Sequence, residues 1–323
     1  MNLLYKYKNG NHCTSIYDDG TRIRETIDPN DNKFTYDFAE NVDVLITKRC
    51  DANCPYCHES ASKNGKHGDL NLLIFDSWKS GTEMAIGGGN IFEHPDLINF
   101  LNKMKNKNVI CNVTVNHIHI DKNFDTLTYL IKNELIRGLG ISIDPNLDFT
   151  CIDKLHKLSD NIVYHTIAGI LDSSYIPKLT NRKVLILGYK DNLGRGYEYN
   201  KKNSNTIKEK INWLKSILPD LKNKIKVLSF DNLALAQLDI KNTLKVNDNE
   251  WTLRFQGKDY GDVNDNNPPS TFYLDTVNKR IGRSSTQPYR ERIIYTNQNF
   301  EEAFKDSLKK YNINRNMYGE LKK

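Results

Sequence analysis

The stretch RCDANCPYCHESA, residues 49–61, gathers Cys50, Cys54, Cys57 and His58 into nine consecutive positions of a chain with six cysteines in all. It begins directly after VDVLIT (42–47), a short apolar run of strand length. The same punctuation then recurs: EMAIG (83–87), VICNVTV (109–115), GLGISI (138–143), IVYHTIAGI (162–170), KVLILGY (183–189) and KVLSF (226–230). Between these runs, LNLLIFDSWKS, HPDLINFLNKMKN, FDTLTYLIKNE, CIDKLHKLS and TIKEKINWLKSIL place apolar residues three and four apart, which is the face of a helix. Each gap is long enough for a crossover helix, and right-handed crossovers between parallel strands curl a sheet toward a barrel. Six or seven such repeats fit, short of a full eight. The fold class expected is therefore α/β, a partial (β/α)6-type TIM barrel of parallel strands.

The two ends read differently. LLYKYK, CTSIY and TRIRETI flank Asn9-Gly10 and Asp18-Asp19-Gly20, both hairpin turn signals, so an N-terminal antiparallel β-hairpin layer is expected. After residue 232 the rhythm breaks into NLALAQL, a polar loop GKDYGDVNDNNPPS, a strand candidate TFYLD and a helix candidate NFEEAFKDSLKKY. That end is expected to form a C-terminal α+β cap. The division is 1–40 for the hairpin extension, 41–232 for the barrel and 233–323 for the cap.

Composition narrows the function classes. The net charge of +6 is carried by interspersed residues of both signs, which gives no nucleic-acid footprint. Lys103, Lys105 and Lys107, and Lys201, Lys202, Lys208 and Lys210, fall in helix-like or polar stretches and read as solvated faces. The start has no basic region ahead of an apolar core, and no run of about 18 apolar residues occurs, so a cytoplasmic protein without a membrane span is expected. Cys13, Cys111 and Cys151 are isolated while the other three are clustered, the distribution of a metal site in a reducing compartment rather than of a disulfide framework. No cysteine follows residue 151, which excludes a second thiolate centre in the C-terminal half.

In a barrel of this kind the functional face lies at the C-terminal ends of the strands, where the cysteine loop begins. A four-iron cubane gives each iron three sulfides and one outside ligand. Three thiolates therefore fix three irons and leave the fourth with open positions for chemistry. The competing reading is structural zinc, which needs a fourth protein ligand. His58 is the nearest candidate, but neighbours in an extended chain point to opposite sides, and no second cysteine pair exists.

The loop CDANCPYC at the end of a first barrel strand resembles the defining loop of the radical S-adenosylmethionine superfamily. The resemblance covers residues 42 to 231 as architecture. It implies a [4Fe-4S] cluster on Cys50, Cys54 and Cys57, with S-adenosylmethionine chelated at the open iron. It implies further that the cofactor is cleaved reductively to a 5'-deoxyadenosyl radical, which takes a hydrogen atom from a substrate, here a nucleotide, a peptide or a small metabolite. An electron donor such as flavodoxin or ferredoxin is implied as a partner. Within the resemblance, Tyr56 packs by the adenine, and Gly87, Gly88, Gly89 and Asn90 are similar to the glycine-rich stretch that binds the cofactor's amino group. Asn90 stands where the family usually has glutamate, with Glu93 nearby, so a catalytically degenerate cofactor-binding protein is the third reading. VTVNH resembles the family's third-strand ending and brings in Asn116, with His117 where glycine is common. ISIDP places Ser142 toward the cofactor's carboxylate or ribose. Ile167 and Ala168 line the adenine pocket, and His117, Asp144, Tyr189 and Lys190 are the substrate-side candidates.

Three further residues carry polar chemistry. His117 and His119 have a ligand-like spacing, yet no carboxylate or third histidine completes a site nearby in sequence, so they read as substrate-side or loop residues. His165 inside a strand reads as an inward polar group or a satisfied core histidine. Arg195, between glycines, reads as a surface residue able to meet an anion.

Overall fold

The structure, a computed structural model, describes residues 1–31, 34–144, 146–254, 271–282, 284–287, 292–295 and 302–303. Three strands, β1 (Leu3–Asn9), β2 (His12–Tyr17) and β3 (Arg22–Thr26), form the antiparallel layer expected from the two turn signals. Gly10, at φ 60°, shows why the first turn needs glycine: a Cβ there would lie 2.1 Å from the carbonyl oxygen of Thr35.

Glu40 fastens this layer to the rest of the chain. Its carboxylate is fully buried and accepts from Thr14 Oγ1 at 2.7 Å, Arg24 Nε at 2.7 Å, Arg22 Nη1 at 3.3 Å and His12 Nε2 at 3.2 Å. Burial alone would raise its pKa, but the His12 hydrogen bond and the Arg24 and Arg22 guanidiniums outweigh that and hold it well below the usual carboxylate range. Arg22 also reaches Glu83 at 2.7 Å, and Arg137 Nη2 donates to the carbonyl of Asp18 at 3.0 Å. Both Glu83 and Arg137 lie at strand beginnings, so the layer covers the end of the barrel opposite the cysteine loop.

Seven parallel strands follow in register with the apolar runs: β4 (Asn41–Thr47), β5 (Glu83–Gly88), β6 (Ile110–Asn116), β7 (Gly138–Ser142), β8 (Ile162–Ile167), β9 (Lys183–Leu187) and β10 (Val227–Phe230). Helices α1 (Leu97–Asn106), α2 (Phe124–Lys132), α3 (Thr150–His156), α4 (Ile176–Leu179) and α5 (Gly194–Leu221) make the crossovers, and α6 (Asn232–Gln237) follows β10. α5 leaves helical geometry at Asn203, where φ is −128°. Between β4 and β5 the helix expected over LNLLIFDSWKS is only a single 3-10 turn, Leu73–Phe75. Leu70, Ile74, Phe75 and Trp78 are buried all the same. The spacing reported which side faces the core, and a tighter turn meets that demand as well as an α-helix does.

TFYLD forms β11 (Thr271–Asp275) and pairs in parallel with β4, extending the sheet on the far side of the first barrel strand. β12 (Arg280–Gly282) and β13 (Ile293–Ile294) continue it antiparallel, giving the order β10-β9-β8-β7-β6-β5-β4-β11-β12-β13. The segment GKDYGDVNDNNPPS and almost all of NFEEAFKDSLKKY lie outside the described residues.

Burial alternates along most of the parallel strands, while β4 and β7 also bury consecutive residues. The outward set, including Val42, Val44, Met84, Ile86, Val113, Val115, Ile141, Ile162, Tyr164, Val184 and Ile186, is buried with Phe100, Leu101, Leu127, Leu130, Leu155 and Leu214 of the helices in one apolar core. The inward set is mixed in character and mostly incompletely covered: Ala85 is exposed, Gly87, Asn112, Thr114, Ser142, His165, Ile167, Leu185 and Leu187 are partly so, and Leu45 is buried. The barrel lumen is thus less completely covered than the apolar core outside it. Among the described residues no helix is long and apolar enough to cross a membrane.

Candidate metal and cofactor site at the barrel mouth

The chain leaves β4 at Thr47, turns through the cysteines and returns alongside itself. Cys50 N donates to Ser62 O at 2.8 Å, Ser62 N to Lys48 O at 2.9 Å, Lys48 N to Lys66 O at 2.9 Å and Gly68 N to Ile46 O at 2.8 Å. Inside that frame Cys57 N donates to Cys54 O and Ser60 N to Cys57 O, each at 3.2 Å, while Asn53 and Ser60 take left-handed φ of 49° and 51°. All three thiols are free and partly exposed. Burial, then the neighbouring Cys57 thiol, pushes the Cys54 thiol up, and Cys50 rises through burial with Cys57 and Asp51 adding to it. Thiols that oppose one another's ionisation in this way deprotonate together only around a cation, so the donor set fits a metal or an iron-sulfur cluster.

Arg195 is not a free surface cation. Its backbone N donates to Cys57 O at 3.0 Å, Nε to Cys54 O at 3.0 Å and Nη1 to Ala61 O at 2.8 Å, so one side chain clasps the loop. The flanking glycines allow the approach, since a Cβ on Gly194 would lie 2.3 Å from His58 O and one on Gly196 2.6 Å from Lys190 O. Asn116 completes the surround, its amide nitrogen 3.8 Å from Cys54 Sγ.

The glycine stretch divides into two jobs. A Cβ on Gly88 would meet Thr47 O at 2.4 Å and one on Gly89 Arg49 O at 2.1 Å, and Gly89 N and Asn90 N donate to those same carbonyls at 2.7 Å each. These positions seat β5 against the root of the cysteine loop. Gly87 differs, because a Cβ there would meet nothing within 4 Å. Bare backbone there is free to face a ligand. Asn90 is buried, with Oδ1 accepting from Phe92 N at 3.3 Å and Nδ2 donating to Glu93 Oε1 at 3.4 Å, and Glu93 in turn pairs with Arg49 at 2.6 Å.

No protein-family model and no curated protein sequence matches the chain. Among solved structures it is similar to Streptococcus suis SuiB bound to its precursor peptide SuiA, with TM-score 0.51 and 12% identity over 83% of this chain and 64% of that one. It is also similar to SuiB bound to S-adenosylmethionine, with TM-score 0.50 and 16% identity over 86% of this chain and 66% of the other. The chain shares the fold of SuiB over most of its length. It spans slightly less than two thirds of SuiB's length.

On this fold the remaining candidates separate into those at the lumen and those built into the frame. Ser142 sits level with Asn116 on one side and His165 on the other, and His117 Nε2 lies 3.0 Å from Asp144 Oδ2 just past the ends of β6 and β7. Tyr56 meets the Tyr199 ring edge-on at 6.0 Å and its hydroxyl is pushed up to about 12, chiefly by burial. Ile167 faces the lumen, whereas the Ala168 methyl belongs to the apolar core. Tyr189 is buried, its hydroxyl donating to Gly196 O at 2.8 Å, while Gln237 bonds both its N–H and its carbonyl at 2.8 Å. Lys190 Nζ lies 3.2 Å from His58 Nε2 and donates to Ser285 Oγ at 2.8 Å. Burial lowers the Lys190 pKa against the opposing pull of Glu59.

Two features escaped the sequence reading. Glu59 is buried, accepts from Tyr273 Oη at 2.8 Å and lies 3.3 Å from His58 Nε2 and 3.6 Å from Lys48 Nζ. His119, also buried, sits 2.7 Å from Asp51 Oδ1. Both pairings join residues far apart in sequence, and only the fold brings them together.

Proposed function

We propose that the chain is a radical S-adenosylmethionine enzyme acting on a substrate held in its barrel lumen. The observation that carries this reading is the loop of three clustered free thiols that follows β4, the first of the parallel barrel strands. In it, Cys50, Cys54 and Cys57 hold a [4Fe-4S] cluster. When bound and reduced, such a cluster supplies the electron that cleaves S-adenosylmethionine to a 5'-deoxyadenosyl radical able to abstract a hydrogen atom.

The chain's own residues bind, orient and shield. Backbone groups of Gly87, Gly88 and Gly89 are proposed to receive the cofactor's amino group. The Asn90 side chain, committed to Phe92 and Glu93, helps by holding that stretch in place. Asn116 and Ser142 lie on adjacent strands at one level and are proposed for the cofactor's carboxylate and ribose. Tyr56 and Ile167 are proposed for the adenine. His117 with Asp144, and Lys190, remain the substrate-side groups, with a flavodoxin or ferredoxin as electron donor. Because SuiB binds a precursor peptide, a peptide is the substrate class to try first. His58, engaged by Lys190 and Glu59, is poorly placed as a fourth zinc ligand, which weakens the zinc reading.

Anaerobic reconstitution with iron and sulfide, then reduction with S-adenosylmethionine present, tests the proposal. Formation of 5'-deoxyadenosine that disappears in Cys54→Ala is the expected result. A protein that forms no cluster absorbance and no deoxyadenosine would refute it, and bound S-adenosylmethionine that is never cleaved would favour a degenerate relative.

A further inference from the structure

We infer that Cys50, Asp51 and His119 form a second, mononuclear site for a divalent transition-metal ion, which competes with the cluster for Cys50. Only the competition rests on the function proposed above; the site itself stands on geometry. One ligand atom from each of the three residues lies within 4.8 Å of the others. Cys50 and Asp51 come from the loop after β4, and His119 from the turn after β6, so two separate elements converge. His119 is 5% exposed and its Nε2 is 2.7 Å from Asp51 Oδ1. The Asp51 side chain is 47% exposed, which gives an ion a path from solvent.

The donor chemistry suits such an ion. A thiolate, a carboxylate and an imidazole are ligands for zinc and its neighbours, and three protein ligands with water in the fourth position is a common arrangement. The thiolate and carboxylate together neutralise a doubly charged ion. Binding through His119 Nε2 uses the imidazole tautomer that carries its proton on Nδ1, and the Cys50 thiol gives up its proton to solvent. The site makes no use of Cys54, Cys57 or His58. A Cys50 thiolate held by this ion is drawn away from the cluster, so a zinc-loaded loop assembles the cluster on three thiolates more slowly.

The test titrates Co2+ into the full-length, iron-free protein under argon. The wild type and a Cys54→Ala/Cys57→Ala variant should bind one equivalent with the same thiolate-to-cobalt charge-transfer absorption. His119→Ala and Asp51→Ala should each weaken binding by about tenfold or more. Asp51 is half exposed, so its variant guards against loss of folding at the buried histidine. One equivalent of Zn2+ added before iron and sulfide should slow cluster formation in the wild type and not in His119→Ala. Loss of the cobalt spectrum in the double cysteine variant, unchanged affinity in both His119→Ala and Asp51→Ala, or no cobalt binding by the wild type would each overturn the proposal. Cluster assembly and deoxyadenosine formation by zinc-free His119→Ala report on the proposed function separately.

Discussion

Tyr273 on β11 donates its hydroxyl to Glu59, two residues past the last loop cysteine, at 2.8 Å. The C-terminal strand is thereby tied to the cysteine loop as well as to β4. Lys190 reinforces the link by reaching both His58 and Ser285. Tyr273→Phe removes a buried hydrogen bond to a charged group, which costs about 2 kcal/mol. The Glu59 carboxylate keeps Lys48 and His58, so the fold should survive with a melting temperature lower by several degrees. If β11 acts as a clamp, reconstituted protein should also lose iron to a chelator faster than the wild type. Unchanged iron release with lowered stability would confine Tyr273 to the frame.

Glu40 should control the acid stability of the hairpin layer. Glu40→Ala leaves the Arg22 and Arg24 guanidiniums at a buried site without their carboxylate, a loss of about 3–5 kcal/mol for pairs of this kind. The folded-state pKa is depressed, so the stabilisation is fully present above the unfolded carboxylate value and fades as pH falls through the folded one. Urea unfolding should therefore show the largest gap between wild type and variant near neutral pH, narrowing below about pH 4. A gap that stays constant down to pH 3 would mean the carboxylate's charge contributes nothing.

The barrel was legible because the parallel strands are short apolar-rich runs, several of them in a period-two frame. VICNVTV and IVYHTI each show which residues face the helices and which face the lumen. The metal-ligand spacing of the cysteines is local, so it too could be read directly. What could not be read is set by tertiary convergence. Asp51 and His119 are 68 residues apart, and Glu59 and Tyr273 are 214 apart. The partners of Tyr189 and Arg195 were hidden for a related reason: both side chains find backbone carbonyls that only the folded loop presents. TFYLD was recognisable as a strand, but its partner β4 was not, because a parallel pairing leaves no turn in the sequence.

The glycine stretch offers a comparison within three residues. Gly89→Ala would drive a Cβ into backbone at 2.1 Å, and Gly88→Ala adds a strained φ of 119° to a 2.4 Å contact. Neither neighbour can yield without moving the root of the cysteine loop, so each variant should lose about 1–3 kcal/mol and bind iron poorly. Gly87→Ala meets open space. It should unfold like the wild type, and under the proposed function its affinity for S-adenosylmethionine should fall by equilibrium dialysis. Equal destabilisation of all three variants would contradict the division of labour.

His165 provides the last prediction. Its ring lies over Gly140, where a Cβ would come within 2.4 Å of Cε1, and burial lowers its pKa to about 4. The folded value is below the unfolded one, near 6.5, so the unfolded chain binds the extra proton between these two values. Stability is then complete above about pH 6.5 and declines toward pH 4, by at most about 3 kcal/mol and less to the extent that lumen water reaches the ring. His165→Phe, neutral at every pH, should flatten the wild-type curve between pH 6.5 and 4.5 in urea unfolding. The Glu40 effect begins only below that window, so the two are separable. If the variant keeps the wild-type slope, the imidazole is solvated in the lumen and some other group titrates.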